Sequence, residues 1–202
     1  MIIKKTFRYR LKPNREKKQW FHQFAGASRW LYNFGLGSKK TLFEEKGKSL
    51  SYFDLNNMLP EMKRNESTIW LKDIHSQVLQ QSLKDLNQAF ENFFRRLKKG
   101  ETPGYPNFKK KGTGDSFRYP QGAKVKGDQV YLPKIGWVRF KKSREMEGVV
   151  KQTTVIQEAG KWYVCFSCEI EKEESISCLE KATVIGIDMG LSTFATIAQG
   201  DD

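Results

Sequence analysis

Polar and apolar residues alternate at the start of the chain, and this alternation predicts a half-buried strand. Aromatic and aliphatic residues at positions 7, 9 and 11 are separated by basic residues at positions 8, 10 and 12. Successive side chains of a strand point to opposite faces, so one face of this strand is apolar and the other is basic. Pro13 and Asn14 end the pattern.

The next segment has a helical period. From Arg15 to about Leu36, apolar residues recur every three or four positions, which is typical of an amphipathic helix, and Asn14 is in place to cap it. Gly35 and Gly37 are expected to loosen its end.

Two more helices are predicted before the midpoint of the chain. A short one runs from Ser51 to Leu59, with Ser51 as cap and Asp54 three residues later, and Pro60 ends it. A long one runs from Ser76 to Lys98. Its apolar stripe is expected to pack against the first helix and consists of Leu79, Leu83, Leu86, Phe90, Phe93 and Leu97.

Residues 116–170 have the pattern of several short strands. The last two are joined by a turn at Ala159 and Gly160. Antiparallel strands separated by turns predict a small barrel, to which the first strand of the chain also belongs, so that the helices form an insertion. A polar, acidic linker then precedes VIGIDMGLSTFATIA, which predicts a strand, a turn at Gly190 and a second strand.

Composition indicates a folded protein with a polyanionic partner. Of the 202 residues, 38% are apolar, and 36 Lys and Arg against 23 Asp and Glu leave a net charge of +13. No signal peptide is recognisable and no apolar run reaches the roughly 18 residues of a membrane span, so we expect a cytoplasmic protein without a membrane partner. Three cysteines make a disulfide framework an unfavourable interpretation.

The charge is concentrated in one segment. Residues 95–144 contain fifteen basic and three acidic residues, a local charge of +12, interrupted by seven aromatic residues. Cations favour phosphate backbones and exposed rings stack on unpaired bases, so this segment predicts a nucleic-acid surface. The alternative is a solvated basic loop with ordinary core aromatics. Even on the first interpretation, half of the seven rings are expected to pack inside.

The spacing Cys165-x-x-Cys168 occurs in zinc sites, but it lies within a predicted strand. Positions three apart on a strand face opposite sides, and no second ligand pair follows. The sequence therefore favours no zinc.

Asp188 lies within an apolar run, where a carboxylate loses hydration unless a cation replaces the water. Magnesium is a suitable cation, because it binds a few carboxylates and keeps waters for phosphates. An apolar strand, Asp, a glycine turn and then Ser or Thr is shared by ribonuclease-H-like nucleases and by sugar-kinase and actin-like ATPases. The remaining alternative is an aspartate that only caps the turn.

The chain as a whole resembles the TnpB (OrfB) family of insertion-sequence transposons, which are RNA-guided DNA nucleases. The matching stretches include TFRYRLKPNREKKQWF, ASRWLYNFGL, LQQSLKDLNQAFENFFRRLKKGETPGYPNFKKKG, SFRYPQ, LPKIGWVRFKKSR, KWYVCFSCE and GIDMGLSTFATIAQG. They run in family order and cover nearly all of the sequence.

The resemblance implies an α+β protein in three parts. A wedge-like β-barrel is formed by residues 1–13 and 112–172, a helical recognition insertion with a basic linker by residues 14–111, and an incomplete RuvC-like nuclease domain begins in residues 182–202. Asp188 matches the first RuvC acid, a magnesium ligand. The family's two later catalytic acids and its zinc insertion have no counterpart in this sequence, so the chain alone is expected to hold no stable metal and to be inactive.

The resemblance further implies guide RNA and target DNA as partners, with no nucleotide cofactor. The predicted function is the nucleic-acid-binding part of a transposase-associated RNA-guided DNA endonuclease; the alternative is a stand-alone RNA- or DNA-binding module without nuclease activity. The residues expected to contact nucleic acid are Arg8, Arg10, Arg95, Arg96, Lys98, Lys99, Lys109, Lys110, Lys111, Arg118, Tyr119, Lys141 and Lys142.

Overall fold

A computed structural model describes residues 1–171, 185–188 and 194–199. The helices are α1 (Arg15–Lys46), α2 (Tyr52–Asn57), α3 (Leu59–Met62) and α4 (Ser76–Lys98), with a 3-10 turn at Ile69–Asp73. The strands are β1 (Ile2–Leu11), β2 (Ser116–Tyr119), β3 (Lys124–Lys126), β4 (Gln129–Leu132), β5 (Gly136–Lys141), β6 (Val149–Glu158), β7 (Lys161–Glu171), β8 (Ile185–Asp188) and β9 (Thr196–Gln199). Residues 2–171 form one compact unit, and strands β8 and β9 belong to a second.

The first unit is built on a seven-stranded antiparallel sheet in the order β2-β6-β7-β1-β5-β4-β3. Strand β1 lies inside the sheet, where Phe7 pairs with Phe166 of β7 and Leu11 pairs with Phe140 of β5. The sheet curls, and the Tyr119 hydroxyl of one edge strand donates to the Pro133 carbonyl after β4 at 2.8 Å. The α+β class and the place of β1 are as predicted. The predicted barrel is a half-barrel instead, because β2 and β3 remain unpaired edges among the described residues.

Helix α1 covers the inner face of the sheet. Phe21 and Phe24 contact Phe117 of β2, with ring centroids 5.8 and 5.3 Å apart, and Phe21 also packs edge-on against Trp162 of β7. These side chains belong to a continuous buried core that joins the helices to the sheet. Burial of this apolar surface provides the main stabilising term of the unit.

Helix α1 starts as predicted but ends later. The Asn14 side chain accepts a hydrogen bond from the Lys17 backbone nitrogen at 2.8 Å, and the helix ends at Gly47, whose φ of 64° is left-handed. The prediction that Gly35 loosens the end near Leu36 is wrong. A Cβ on Gly35 would lie 2.8 Å from a methyl carbon of Leu86, so this glycine lets α1 and α4 approach closely within a continuous helix.

Helix α2 begins at its predicted capping residue, whereas α3 begins without a side-chain cap. Ser51 and Asp54 form the predicted capping box at the start of α2. Pro60 does not end the helical segment, because it lies in the first turn of α3, where a missing N–H costs nothing. None of the helices in the described part of the chain is long and apolar enough to cross a membrane.

Helix α4 has the predicted bounds, but only its first half is core. Leu79, Leu83 and Leu86 are fully buried, whereas Leu97 is exposed. Beyond Leu86 the stripe meets polar neighbours: the Lys39 ammonium lies 5.2 Å from the Phe90 ring, and Tyr105 packs edge-on against Phe90. The apolar stripe therefore predicted the bounds of the helix correctly, but only the first half of the stripe is buried.

The second unit contains the antiparallel pair β8 and β9, in which Asp188 is opposite Thr196. This confirms the predicted strand pair. The polar linker was predicted for residues 171–181, but its first residue, Glu171, is the last residue of β7. The rest of the linker and the predicted turn at Gly190 lie outside the described residues. Two four-residue strands do not identify a nuclease fold, so the RuvC-like assignment stays a prediction.

Candidate nucleic-acid interface

The solvent-facing side of the sheet, hereafter the outer face, collects cations from neighbouring strands. Strand alternation turns Arg10 of β1 outward, where it lies directly opposite Lys141 of β5. One step further, the Lys12 backbone nitrogen donates to the Arg139 carbonyl at 2.7 Å, which holds these two residues side by side. Four cations from two adjacent strands therefore occupy one patch of surface.

A groove of about 320 Å³ adjoins this patch where β1 ends and β7 begins. Its cationic lining, hereafter the basic groove, consists of Arg10, Lys12, Lys18, Lys141 and Lys161. The buried residues Leu11 and Trp162 also line it, and no acidic residue of the described ranges does. Cations held close together without counter-charge repel one another, so an anion placed among them lowers the energy of the folded state.

Several other cations of the outer face, on β1 and β6, are paired with acids. Lys4 and Lys151 both pair with Glu169, at 4.0 and 3.2 Å, and Arg8 pairs with Glu158. The Arg8 guanidinium also lies 4.0 Å from the Tyr163 ring centroid, and its hydrogen bond to Glu158 raises its pKa. In contrast, the basic groove makes no ion pair with any described residue. The groove is thus a cationic surface that the described acids leave uncompensated.

The basic linker after α4 is held against α1 by an asparagine. Asn33 donates from its Nδ2 to the Lys109 carbonyl at 3.0 Å and accepts from the Lys109 backbone nitrogen at 2.8 Å. Although Lys109 keeps contact with solvent, its ammonium lies 4.2 Å from the Tyr32 ring, and desolvation lowers its pKa. Lys109 is therefore an anchor as well as a cation, whereas Lys110 and Lys111 are exposed.

An ion pair fixes the other end of the linker. Asp115 pairs with Arg29 of α1 and also accepts from the Gly112 backbone nitrogen at 3.2 Å. Only 10% of the Asp115 side chain and 21% of the Arg29 side chain are exposed. The position of Lys110 and Lys111 is consequently set by α1 at both ends of the loop.

The carboxyl end of α4 carries the second predicted group of cations. Arg95, Arg96, Lys98 and Lys99 are all exposed, and Arg96 makes a loose ion pair with Glu101 at 3.9 Å. Cations at this position also stabilise the helix through its dipole, so their presence alone does not establish binding. The structure leaves them accessible to a polyanion.

Besides Arg8, three more predicted contact residues are engaged within the protein. Tyr119 is fully buried and its hydroxyl donates to Pro133, which corrects the expectation that its ring meets a base; burial also raises its pKa. Arg118 pairs with Asp85 at 3.4 Å, and Lys142 pairs with Glu145 at 2.6 Å. These two cations are partly compensated and contribute less free charge.

The seven aromatic residues of the basic segment divide as predicted. Those packed inside are Phe117, Tyr119 and Phe140. Those exposed are Tyr105, Phe108 and Trp137, with Tyr131 half-buried on the outer face. Exposed rings beside uncompensated cations are the combination that binds single-stranded nucleic acid.

Cys165 and Cys168 lie on opposite faces of β7, as the strand pattern predicts. Cys165 is half-buried and Cys168 is buried, and desolvation raises the pKa of both thiols. Within residues 1–171, 185–188 and 194–199, no three His, Cys, Asp or Glu residues cluster to hold a metal ion. Asp188 is the last residue of β8, and its proposed magnesium role stays a prediction.

Four cations of this surface were not assigned to it from the sequence pattern alone: Lys12, Lys18, Arg139 and Lys161. Alternation along β1 and β5 was a usable signal for Lys12 and Arg139, because it places them on the same face as Arg10 and Lys141. Lys18 and Lys161 had no such signal, since only the pairing of distant segments brings them to the groove.

A comparison with known families matches residues 1–48 to a helix-turn-helix domain of the OrfB type found in the IS605 group. Over these residues the structure has a strand, β1, followed by one continuous helix, α1. The name of the matched domain therefore does not describe the geometry of this segment.

Two curated proteins are similar along nearly the whole chain. A protein of Escherichia coli (strain K12) named "Putative RNA-guided DNA endonuclease InsQ" is 40% identical over 197 residues, which cover 96% of this chain and 47% of that protein. A "Putative RNA-guided DNA endonuclease" of Streptomyces pristinaespiralis is 29% identical over 206 residues, covering 98% of this chain and 49% of that protein. The chain spans about half the length of these curated relatives.

Proposed function

Because the chain belongs to the TnpB (OrfB) family of transposon-associated proteins, we propose that it is the nucleic-acid-binding part of an RNA-guided DNA endonuclease that acts in the cytoplasm. Its ligands are a guide RNA and target DNA, the partners that the names of its relatives imply. The observation that carries the proposal is the uncompensated basic groove, together with a linker that presents Lys110 and Lys111 to solvent.

We propose that the protein binds the nucleic-acid backbone and that base pairing selects the sequence. Lys and Arg contact phosphates irrespective of base sequence, so they hold and orient a strand without reading it. In RNA-guided recognition, base pairing supplies the sequence specificity and the protein grips the backbone. A cationic groove on a rigid sheet is suited to that role.

The proposed cleavage chemistry depends on Asp188. Asp188 would be one acidic ligand of a magnesium ion, which supplies the charge stabilisation that phosphodiester hydrolysis needs. Among the described residues, no three potential metal ligands cluster around a common point.

Salt dependence tests the proposal directly. The association constant of the chain for a short RNA or DNA duplex is expected to fall by roughly a thousandfold between about 50 and 200 mM salt, the loss for about six phosphate contacts. Filter binding or fluorescence anisotropy over that range measures it. A flat response, or no binding at low salt, would remove the basis of the proposed function.

The linker is tested by reversing two charges. We expect Lys110→Glu with Lys111→Glu to weaken binding about tenfold or more, equally for all sequences, because phosphate contacts carry no base information. Lys109 is left in place, since it anchors the loop on Tyr32.

The matched control is Lys46→Glu with Lys48→Glu, which makes the same charge change at two exposed lysines at the end of α1. Competition with a panel of unrelated oligonucleotides gives the readout. A variant that alters the ranking of sequences would contradict a backbone role for the linker.

A further inference from the structure

We propose that Tyr131 and Trp137, on the outer face of the β4–β5 hairpin, form a stacking platform for unpaired bases of an RNA strand. The two residues are direct cross-strand partners, with ring centroids 5.5 Å apart and planes inclined by 56°. Trp137 is 45% exposed, although it is a large apolar side chain. The inference rests on the proposed function and assigns part of it to a specific place.

Cations surround the two rings. Lys124 of β3 is opposite Tyr131, so the row across the hairpin is Lys124, Tyr131, Trp137. The next row contains Lys126, Gln129 and Arg139. Within the described residues none of the three cations makes an ion pair. Phosphates next to the stacked bases would thus find cations beside the platform.

The platform is continuous with the basic groove. Arg139 lies beside Lys12, whose backbone nitrogen donates to the Arg139 carbonyl, and Lys12 lines the groove. A strand whose bases stack on Trp137 can therefore extend its backbone along β5 towards Lys141 without leaving the cationic surface. Alternating ring contacts and phosphate contacts are how single strands are bound without sequence readout.

The hairpin is held rigidly, which favours a binding role for its exposed rings. Two side chains from other elements donate to carbonyls of the loop: Lys17 of α1 to Ile135, and Tyr119 of β2 to Pro133. A third bond runs outward, from the Lys134 ammonium in the loop to the Lys72 carbonyl. Gly136 has a φ of 89°, and a Cβ there would lie 3.2 Å from the Lys17 ammonium. A fixed platform loses little conformational entropy when a ligand binds.

An unpaired RNA segment fits this surface better than a duplex. Base faces are covered by their neighbours in a duplex, so an exposed ring pair has nothing to stack on there. Proteins that recognise RNA in single-stranded regions stack aromatic side chains on the splayed bases, commonly from the face of a sheet. A guide RNA is one of the two ligands of the proposed function, so we assign the platform to RNA.

The test compares Trp137→Ala and Trp137→Phe in the 202-residue chain. With a fluorescently labelled ten-nucleotide RNA lacking self-complementarity, Trp137→Ala is expected to weaken binding about five- to hundredfold, the range for loss of one stacked base. Trp137→Phe, which keeps a ring, should retain most of the affinity. Binding of a duplex of the same length should change less than threefold in both variants.

The control is Trp70→Ala, which removes a similarly exposed tryptophan, 39% accessible, from the helical part. Far-UV circular dichroism and the melting temperature of each variant show that the fold is kept. If Trp137→Ala binds the RNA as tightly as the wild type while the Lys110 and Lys111 reversals weaken it, the platform is wrong and the proposed function stands. Tighter binding of the DNA strand of the same sequence would overturn the assignment to RNA. If the wild type binds no nucleic acid, the proposed function itself fails.

Discussion

Replacing Arg10, Lys12 and Lys141 with glutamate is expected to weaken binding to RNA and DNA by about two to three orders of magnitude at about 50 mM salt. These residues lie together in the basic groove, and no described acid offsets their charge. The variant removes up to three phosphate contacts and introduces three carboxylates that repel the backbone. The slope of the logarithm of the association constant against the logarithm of salt should become shallower by about three.

The same sheet offers a control of equal charge. Replacing Lys4, Lys5 and Lys151 with glutamate changes the net charge by the same amount, but these lysines already pair with Glu147 and Glu169. We expect this control to lose less than about tenfold, through the long-range field alone. Fluorescence anisotropy titrations at several salt concentrations measure the loss of affinity in both variants. Equal losses would mean that net charge, rather than the groove, governs binding.

Asp115→Ala is expected to lower the free energy of unfolding by about 2 to 3 kcal/mol. Removing one partner of a buried ion pair leaves the other charge uncompensated, which costs about 3 to 5 kcal/mol when burial is complete. The lower figure applies because about a fifth of the Arg29 side chain still meets solvent. The loop would also lose its bond from the Gly112 nitrogen, so the linker should loosen.

A double replacement separates the ion pair from packing. Arg29→Leu with Asp115→Leu leaves no orphaned charge and should be more stable than Asp115→Ala, even though it changes more atoms. Urea denaturation gives the stabilities, and limited trypsin cleavage after Lys110 and Lys111 reports on the linker. Equal stability of Asp115→Ala and the wild type would show that the pair does not fix the loop.

Local patterns in the sequence carried much of the fold. The bounds of α4, the capping box of α2 and the strand pair β6–β7 follow from periodicity, caps and a turn at Ala159 and Gly160, all of which are local signals. The full length of α1 was missed because glycine was interpreted as a flexible residue. At Gly35 its small size matters instead, since it admits Leu86 of a helix distant in sequence.

The candidate site was less predictable for a related reason. Charge counting found the basic segment, but the value of each cation depends on its neighbours. Arg8 is compensated by Glu158, and Lys109 lies on Tyr32, whereas Arg10 remains free. Such pairings join residues far apart in sequence. No periodicity or composition within a short window records them.

The central position of β1 has a consequence for how the chain is made. Its register with β7 joins Ile2 to Glu171, so β1 leaves the ribosome long before its partner strand β7 has been synthesised. At about 5–20 residues per second the delay is on the order of ten seconds or more. During that time the apolar side of the nascent strand has no partner, and nascent-chain chaperones would have a reason to bind it. Late pairing of this kind also makes folding slow, because distant contacts form only after a large loop closes.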